Sequence, residues 1–232
     1  MRTEAAVAVS AESERVRARI AGGAYVAIIV LGMTCMGFVA SRRSVTGDAQ
    51  ATLSNLRAGE GLVRWALVGE LAMYALVLLA SVLFFGLLRG QHQTVALLAL
   101  VFRAAEAFIG AGLAAASTAY PLWLLQHDPG GSDLASTVHA LVPLGVAGVD
   151  VVLFFMGCGG VLFFVLFWTS RLVPRPLAGW GMFTYGTMIV LPVVSLVAPT
   201  LPEQAKMICY APGGLFELLF GLWLLIRGTR RS

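Results

Sequence analysis

Residues 62–88 read LVRWALVGELAMYALVLLASVLFFGLL, an apolar run whose only charged members are Arg64 and Glu70. At a rise of about 1.5 Å per residue, a helix of this length spans more than the roughly 30 Å hydrocarbon layer of a lipid bilayer. A stretch this long and this apolar is typical of a transmembrane helix. It therefore predicts that the chain is built for a membrane.

The same pattern recurs along the chain and predicts an all-α fold, a polytopic bundle of six transmembrane helices. We predict these helices at about residues 20–40, 62–88, 94–120, 141–168, 177–198 and 206–226, within one transmembrane domain over residues 20–228. Residues 1–19 are expected to form a polar N-terminal tail, and residues 229–232 a basic C-terminal tail. The first apolar run is longer than the roughly 7 to 15 residues of a signal peptide's apolar region, so we expect it to be retained.

Composition supports this class of protein. Of 232 residues, 59% are hydrophobic and 12% charged, and the mean hydropathy is +0.85. Soluble domains carry about 25% charged residues, so a water-soluble enzyme is excluded. The net charge of +4 comes from arginines beside the apolar runs, without a recognition motif, so nucleic acid is not an expected partner. The expected partner is the lipid bilayer, and a homo-oligomer is left open.

The distribution of basic residues predicts the orientation. The first, third, fifth and seventh polar segments hold ten Arg and Lys residues, and the alternating segments hold four. By the positive-inside rule, both termini are cytoplasmic and the loop around residues 127–133 is external. Arg42, Arg43 and Arg57 in the first external loop run against this trend. We expect a multi-pass protein of the cell inner (plasma) membrane.

Familiar cofactor and metal motifs are missing. Residues 110–112 (Gly-Ala-Gly) lie inside an apolar helix, with no preceding strand to form a dinucleotide-binding turn. His92, His127 and His139 lack the spacing that a zinc site needs. We therefore expect no cofactor and no metal site.

The informative feature is a set of ionisable side chains inside the predicted spans. A charge at the bilayer centre costs at least about 2.5 to 3.5 kcal/mol, so such residues usually face the bundle interior and mark a site. At about 1.5 Å per residue, the four carboxyls lie roughly 12 to 18 Å from an interface, which predicts one midplane layer. The five residues are Glu70, Arg103, Glu106, Asp150 and Glu217.

Arg103 and Glu106 are spaced i, i+3, which places them on one helix face within reach of each other. Four carboxyls and one arginine cannot all be ionised in a dry layer, so either some carboxyls are protonated at neutral pH, or water or a cation shares the site. Aromatic residues on the same helices, such as Tyr74, can wall a cavity. The predicted ligand-binding residues are Glu70, Tyr74, Arg103, Glu106, Asp150 and Glu217, and the four acids among them are also the catalytic candidates.

Three short motifs resemble one family, the prokaryotic membrane proteins catalogued as domain of unknown function 4386. They are residues 102–107 (FRAAEA), residues 170–178 (SRLVPRPLA), and residues 216–218 with 221–225 (FEL and GLWLL). The resemblance covers about residues 20–228 and implies a six-helix membrane protein with Arg-x-x-Glu in the third helix and a glutamate in the sixth. It implies no established activity. The chain departs from the family pattern in the fourth helix, where Val149 stands in place of a histidine before Asp150.

Three functions remain open on the sequence. The leading hypothesis is a membrane protein that holds a small lipophilic or cationic molecule in a midplane cavity, lined by the buried carboxylates and Arg103. One alternative is an intramembrane enzyme in which a protonated carboxylic acid is the general acid, for example in cyclising an isoprenoid. The other is a proton-coupled carrier of a small solute.

Overall fold

The computed structural model describes residues 2–39, 45, 47–127, 133–198 and 203–229, and within them all regular structure is helical. Two π-helical segments, Gly32–Val39 and Ala115–Ala119, continue the helices that precede them. The α-helices of this part of the chain are α1 (Arg2–Leu31), α2 (Ala49–Ala58), α3 (Glu60–Leu88), α4 (Gln93–Ala114), α5 (Tyr120–His127), α6 (Leu134–Leu141), α7 (Leu144–Ala147), α8 (Val149–Ser170), α9 (Arg175–Val197) and α10 (Glu203–Arg227).

Six stretches of these helices are long and apolar enough to cross a membrane, which confirms the predicted all-α, six-span fold. They are Glu12–Cys35, Glu60–Leu88, Gln93–His127, Val149–Ser170, Arg175–Val197 and Ile208–Arg227. Large apolar side chains such as Trp65, Phe108, Phe183 and Val197 are more than half exposed on their outer surface, as a lipid environment requires.

Three helix boundaries differ from the predicted ones. Helix α1 begins at Arg2, so most of the predicted polar tail is helical and continuous with the first span. The third span extends through the π segment and α5 as far as His127. The fourth begins at Val149 and not near Leu141, because a turn at Val142–Pro143 and the break at Gly148 separate α6 and α7 from α8. Residues 230–232 of the predicted C-terminal tail, residues 40–44 with Arg42 and Arg43, and residues 128–132 of the predicted external loop lie outside the described residues.

The spanning helices form a closed ring. Each of α1, α3, α4, α8, α9 and α10 packs against the next along the chain, and α10 packs back against α1. This last contact is a close approach of two backbones, since a Cβ at Gly22 would overlap the Leu225 amide and lie 2.7 Å from the Gly221 carbonyl oxygen. Small residues permit such approaches, which hold helices together where lipid removes the hydrophobic drive between them.

One end of the ring is filled by an aromatic cluster, which we define as Phe84, Phe163, Phe164, Phe167, Phe216 and Phe220. All six side chains are at most 2% exposed, and neighbouring ring centroids lie 4.8 to 6.0 Å apart. Most of these pairs are tilted or edge-to-face, the arrangement that the ring quadrupole favours. Phe84, Phe167 and Phe220 stand near the C-terminal ends of α3, α8 and α10, so the cluster closes the end of the ring where those helices finish.

The opposite end of the ring carries the short helices. Helices α2, α5 and α6 bury Leu56, Leu122 and Val138 against Val63 of α3. The buried Thr52 hydroxyl of α2 donates to the Asp48 carbonyl oxygen at 2.9 Å and lies 3.4 Å from His139 Nδ1 of α6. The two ends of the bundle are therefore covered in different ways.

Candidate functional site

The Arg103–Glu106 pair lies inside the ring on α4. Arg103 Nη1 is 2.7 Å from Glu106 Oε2, and the two side chains are 3% and 5% exposed. Neither of these two atoms has a conventional hydrogen-bond partner in the described part of the chain, so the contact is an ion pair and not an aligned hydrogen bond. The predicted contact between the two residues is confirmed.

A second buried group joins three other helices. The Tyr185 hydroxyl of α9 donates to Glu217 Oε1 of α10 at 2.5 Å. The Tyr25 hydroxyl of α1 lies 3.1 Å from the Tyr185 hydroxyl, and all three residues are buried. If Tyr185 donates to Glu217, Tyr25 donates to Tyr185, which makes a hydrogen-bonded chain that runs toward the carboxyl.

These two groups form one site, the central polar cluster, which comprises Tyr25, Arg103, Glu106, Tyr185 and Glu217. Arg103 interacts electrostatically with both tyrosines and with Glu217 as well as with Glu106, and Glu106 interacts with Glu217. Four of the six spanning helices contribute a side chain. Tyr25, Tyr185 and Glu217 stand near the middle of their spanning stretches, whereas Arg103 and Glu106 lie in the first half of the longer stretch Gln93–His127.

Glu70 and Tyr74 of α3 lie at the edge of this cluster. Tyr74 is 5% exposed and interacts electrostatically with both Glu70 and Glu106. Its ring lies directly on α4 at Gly110, where any Cβ would overlap the phenol. Glu70 is half-buried, one helical turn before Tyr74. Helix α3 thus extends the polar cluster on the Glu106 side.

Helix α8 packs against the cluster through glycines instead of polar side chains. A Cβ at Gly160 would overlap the Tyr185 ring, and a Cβ at Gly159 would lie 2.8 Å from Arg103 Cγ. The glycines that the sequence places in the middle of this helix therefore make room for the two side chains that hold the cluster together. They serve close packing, because the helix continues through them without a break.

Asp150 does not join the cluster. Its Oδ2 accepts a hydrogen bond from the Ser195 hydroxyl at 2.7 Å and from Lys206 Nζ at 3.3 Å. The predicted depth of Asp150, nine residues inside its span, is wrong, because α8 begins at Val149 and places Asp150 in the first turn. The aspartate thus forms a half-buried ion pair at the end of the helix. The layer of carboxyls contains Glu106 and Glu217, with Glu70 beside them.

Sequence reasoning missed Tyr25 and Tyr185, which connect α1 and α9 to Glu217. A tyrosine in an apolar helix suggests an interfacial anchor, since aromatic residues concentrate at the two membrane surfaces. Both residues stand instead near the centre of their spans. That position is the signal that could have found them, because a hydroxyl at the bilayer centre needs a partner.

A family model described as a domain of unknown function (DUF4386) matches residues 20–228. The chain belongs to this family. No curated protein and no solved structure matches it.

The structure shows where the three motifs that carry the DUF4386 resemblance lie. The motif in residues 102–107 and the one that begins at Phe216 supply Arg103, Glu106 and Glu217, which meet in the central polar cluster. The motif in residues 170–178 forms the connection between α8 and α9, at the end of the ring that the aromatic cluster closes. This DUF4386 protein therefore brings two of its three motifs together in one buried site.

Proposed function

We propose that this multi-pass membrane protein binds a small lipophilic or cationic molecule at the central polar cluster. The observation that carries the proposal is the charge of the cluster. It contains two carboxyls, Glu106 and Glu217, and a single guanidinium, Arg103, all at most 6% exposed. Since unpaired charge is expensive in a dry interior, such a cluster favours one further positive charge.

The Thr184 hydroxyl gives a second reason to expect an occupant. This side chain is 2% exposed, and its Oγ1 makes no hydrogen bond within the residues that the structure describes. Its methyl group faces α10 at Gly213, one helical turn before Glu217. Buried hydroxyls are nearly always hydrogen-bonded, so a water molecule or a polar group of the ligand is expected here.

The test uses purified protein and a series of lipophilic cations from tetramethylammonium to tetraphenylphosphonium. At least one of them should raise the melting temperature of the wild type, since a ligand that binds only the folded state stabilises it. Glu217→Gln keeps an oxygen that accepts from Tyr185 but removes the charge, so the shift should disappear. Glu60→Gln, in an exposed ion pair at the start of α3, should retain it. A shift that survives Glu217→Gln, or no shift with any cation, refutes cation binding at the central polar cluster.

A second candidate, a proton-coupled carrier, is favoured by the hydrogen-bonded chain of Tyr25, Tyr185 and Glu217. In this case the extra positive charge is a proton on one of the two carboxyls. Infrared difference spectra at neutral pH should then show a protonated carboxyl band that Glu217→Gln or Glu106→Gln removes. Solute uptake into vesicles should depend on a pH gradient. A binding protein without transport shows neither the uptake nor its pH dependence.

We further propose that both termini face the cytoplasm and that the bundle resides in the plasma membrane. An even number of candidate spans, six, supports termini on the same side of the membrane. The excess of Arg and Lys in the segments on that side, Arg89 and Arg171 among them, supports the cytoplasmic assignment.

A further inference from the structure

A second site of different chemistry lies in the connection between α8 and α9. Arg171, Val173, Pro174, Arg175 and Pro176 line a pocket of about 280 Å³. The pocket is at the end of the ring that the aromatic cluster closes, far along α8 from the central polar cluster. It belongs to none of the functions proposed above.

Among the residues that the structure describes, the two arginines are the only charged ones that line the pocket. Both are exposed, and neither makes an ion pair with any residue that the structure describes. The Arg175 guanidinium lies over the Trp168 ring, 5.6 Å from its centroid. Stacking of this kind holds a guanidinium in place and leaves its N–H groups available to an anion.

The backbone of Arg171 points to a role for its side chain. Arg171 ends α8 with φ 57° and ψ 15°, and it is the one non-glycine residue with positive φ in the described ranges. Glycine is the usual residue at such a helix end, because any Cβ is strained in the left-handed region. Arginine brings strain to this position, and the backbone alone gives no reason for it. The positive charge of its side chain gives a reason for arginine at this position.

The connection is also firmly held. Val173 is 1% exposed and packs into the same core as the aromatic cluster, and the Leu172 amide donates to Ser170 Oγ at 3.5 Å. These contacts hold the backbone from which the Arg171 and Arg175 side chains extend. Because the connection joins the ends of two spanning helices beside Trp168, we expect it at the level of the lipid headgroups.

We propose that this pocket binds a phosphate group, and that the group belongs to the headgroup of an anionic lipid. Guanidinium groups recognise phosphate oxygens with two parallel hydrogen bonds, and basic pockets between membrane helices bind anionic headgroups. A lipid source fits better than a soluble one because the pocket lies at the ends of two spanning helices, where headgroups are expected.

The experiment compares the full-length protein in nanodiscs of phosphatidylcholine with and without phosphatidylglycerol, with lipid binding followed by native mass spectrometry. The wild type should retain phosphatidylglycerol in preference to phosphatidylcholine. The double variant Arg171→Gln with Arg175→Gln should lose at least ten-fold in this preference, since it removes two positive charges that attract the anionic headgroup. Arg89→Gln is the matched control, because it removes an exposed arginine from the same end of the bundle and should keep the preference.

Two further measurements separate the alternatives. Glycerol 1-phosphate added to protein in phosphatidylcholine nanodiscs should bind at least ten-fold more weakly than phosphatidylglycerol; equal binding would assign the pocket to a soluble phosphate and overturn the lipid assignment. Arg171→Gly should raise the melting temperature in lipid-free detergent, because it removes the strained side chain, and should still lower the phosphatidylglycerol preference. An Arg171→Gly protein with full preference for phosphatidylglycerol refutes the proposal.

Discussion

Two arginine–glutamate pairs among the described residues have the same N···O distance but differ in how far they are exposed to solvent. Arg64 Nη2 lies 2.7 Å from Glu60 Oε1, with side chains 42% and 38% exposed, whereas the side chains of the Arg103–Glu106 pair are 3% and 5% exposed. An exposed pair contributes about 0 to 1 kcal/mol, because water solvates each partner alone. In the buried pair, each charged side chain is stabilised mainly by its partner, because water does not solvate it.

Arg103→Leu should therefore destabilise the protein by about 3 to 5 kcal/mol, because Glu106 loses its nearest cation. Arg103→Leu combined with Glu106→Leu removes both charges, and thermal stability in detergent should largely return. Ligand binding should still be weaker than in the wild type, because Glu106 can no longer contact the ligand, although Glu217 leaves the net charge of the central polar cluster unchanged.

The matched control is Arg64→Leu, alone and with Glu60→Leu, which should change stability by less than about 1 kcal/mol. If the losses from Arg103→Leu and Glu106→Leu simply add, the two side chains do not act as a pair. A double variant that is stable and binds ligand fully would make the pair a purely structural contact.

Tyr185→Phe tests the other half of the cluster. It removes the donor to Glu217 and the partner of Tyr25, and hydrogen bonds to charged groups contribute about 1.5 to 3 kcal/mol. We expect a loss of that size in melting experiments. Tyr120→Phe, at an exposed tyrosine, should change stability by only a few tenths of a kcal/mol. Equal effects of the two changes would show that the Tyr185 hydroxyl makes no important contact.

At this scale, the sequence predicts contacts within one helix better than contacts between helices. The spacing of Arg103 and Glu106 was sufficient, because helical geometry alone brings i and i+3 side chains together. The partners of Glu217 are on α1 and α9, and their positions depend on how the ring closes. No local pattern contains that information.

Helix α8 shows how an element without a charged residue in its centre shapes the site. The middle of α8 faces α9 and α4 through glycines, so Tyr185 and Arg103 occupy the space that side chains of α8 would otherwise fill. A single methyl group at this surface must move a ring or a backbone. The helix therefore sets the position of the cluster through its shape.

Gly160→Ala should destabilise the protein by about 1 to 3 kcal/mol, because the added methyl group overlaps the Tyr185 ring and overpacks the interior. Gly186→Ala is the control on the facing helix. Nothing lies within 4 Å of a Cβ at Gly186, so alanine should stabilise α9 by up to about 0.5 to 1 kcal/mol. Melting temperatures of both variants in one detergent check this. A neutral Gly160→Ala would mean that α8 and α9 can separate without cost.

The elements themselves were largely predictable, since apolar length alone identifies a spanning helix. The start of α8 was not. Residues 141–148 are nearly as apolar as the helix that follows, so composition gives no boundary there, and the turn at Val142–Pro143 lies within an apolar run. The predicted depth of Asp150 depends on where α8 begins, so a wrong helix boundary also gives a wrong position for this site residue.

For the whole molecule, the six-span ring predicts which surfaces are accessible from each side of the membrane. In a variant without Cys35, Cys158 and Cys209, a cysteine at Ser136 of α6 should react with an impermeant maleimide in intact cells. Cysteines at Ser13 and Gln91 should react only after permeabilisation, since both lie at the opposite end of the bundle. The reverse pattern would invert the proposed orientation.

The closure of the ring by α10 also determines when the protein can reach its final structure during synthesis. Helix α1 leaves the ribosome before any other described helix, yet its contact at Gly22 needs Gly221, near the end of the chain. Until α10 enters the membrane, the nascent bundle has an open seam between α1 and α9, and the Glu217 carboxyl is not yet present to accept from Tyr185. The central polar cluster is therefore completed only when α10 is inserted, and a nascent chain without α10 lacks both the contact that closes the ring and the acceptor for the Tyr185 hydroxyl.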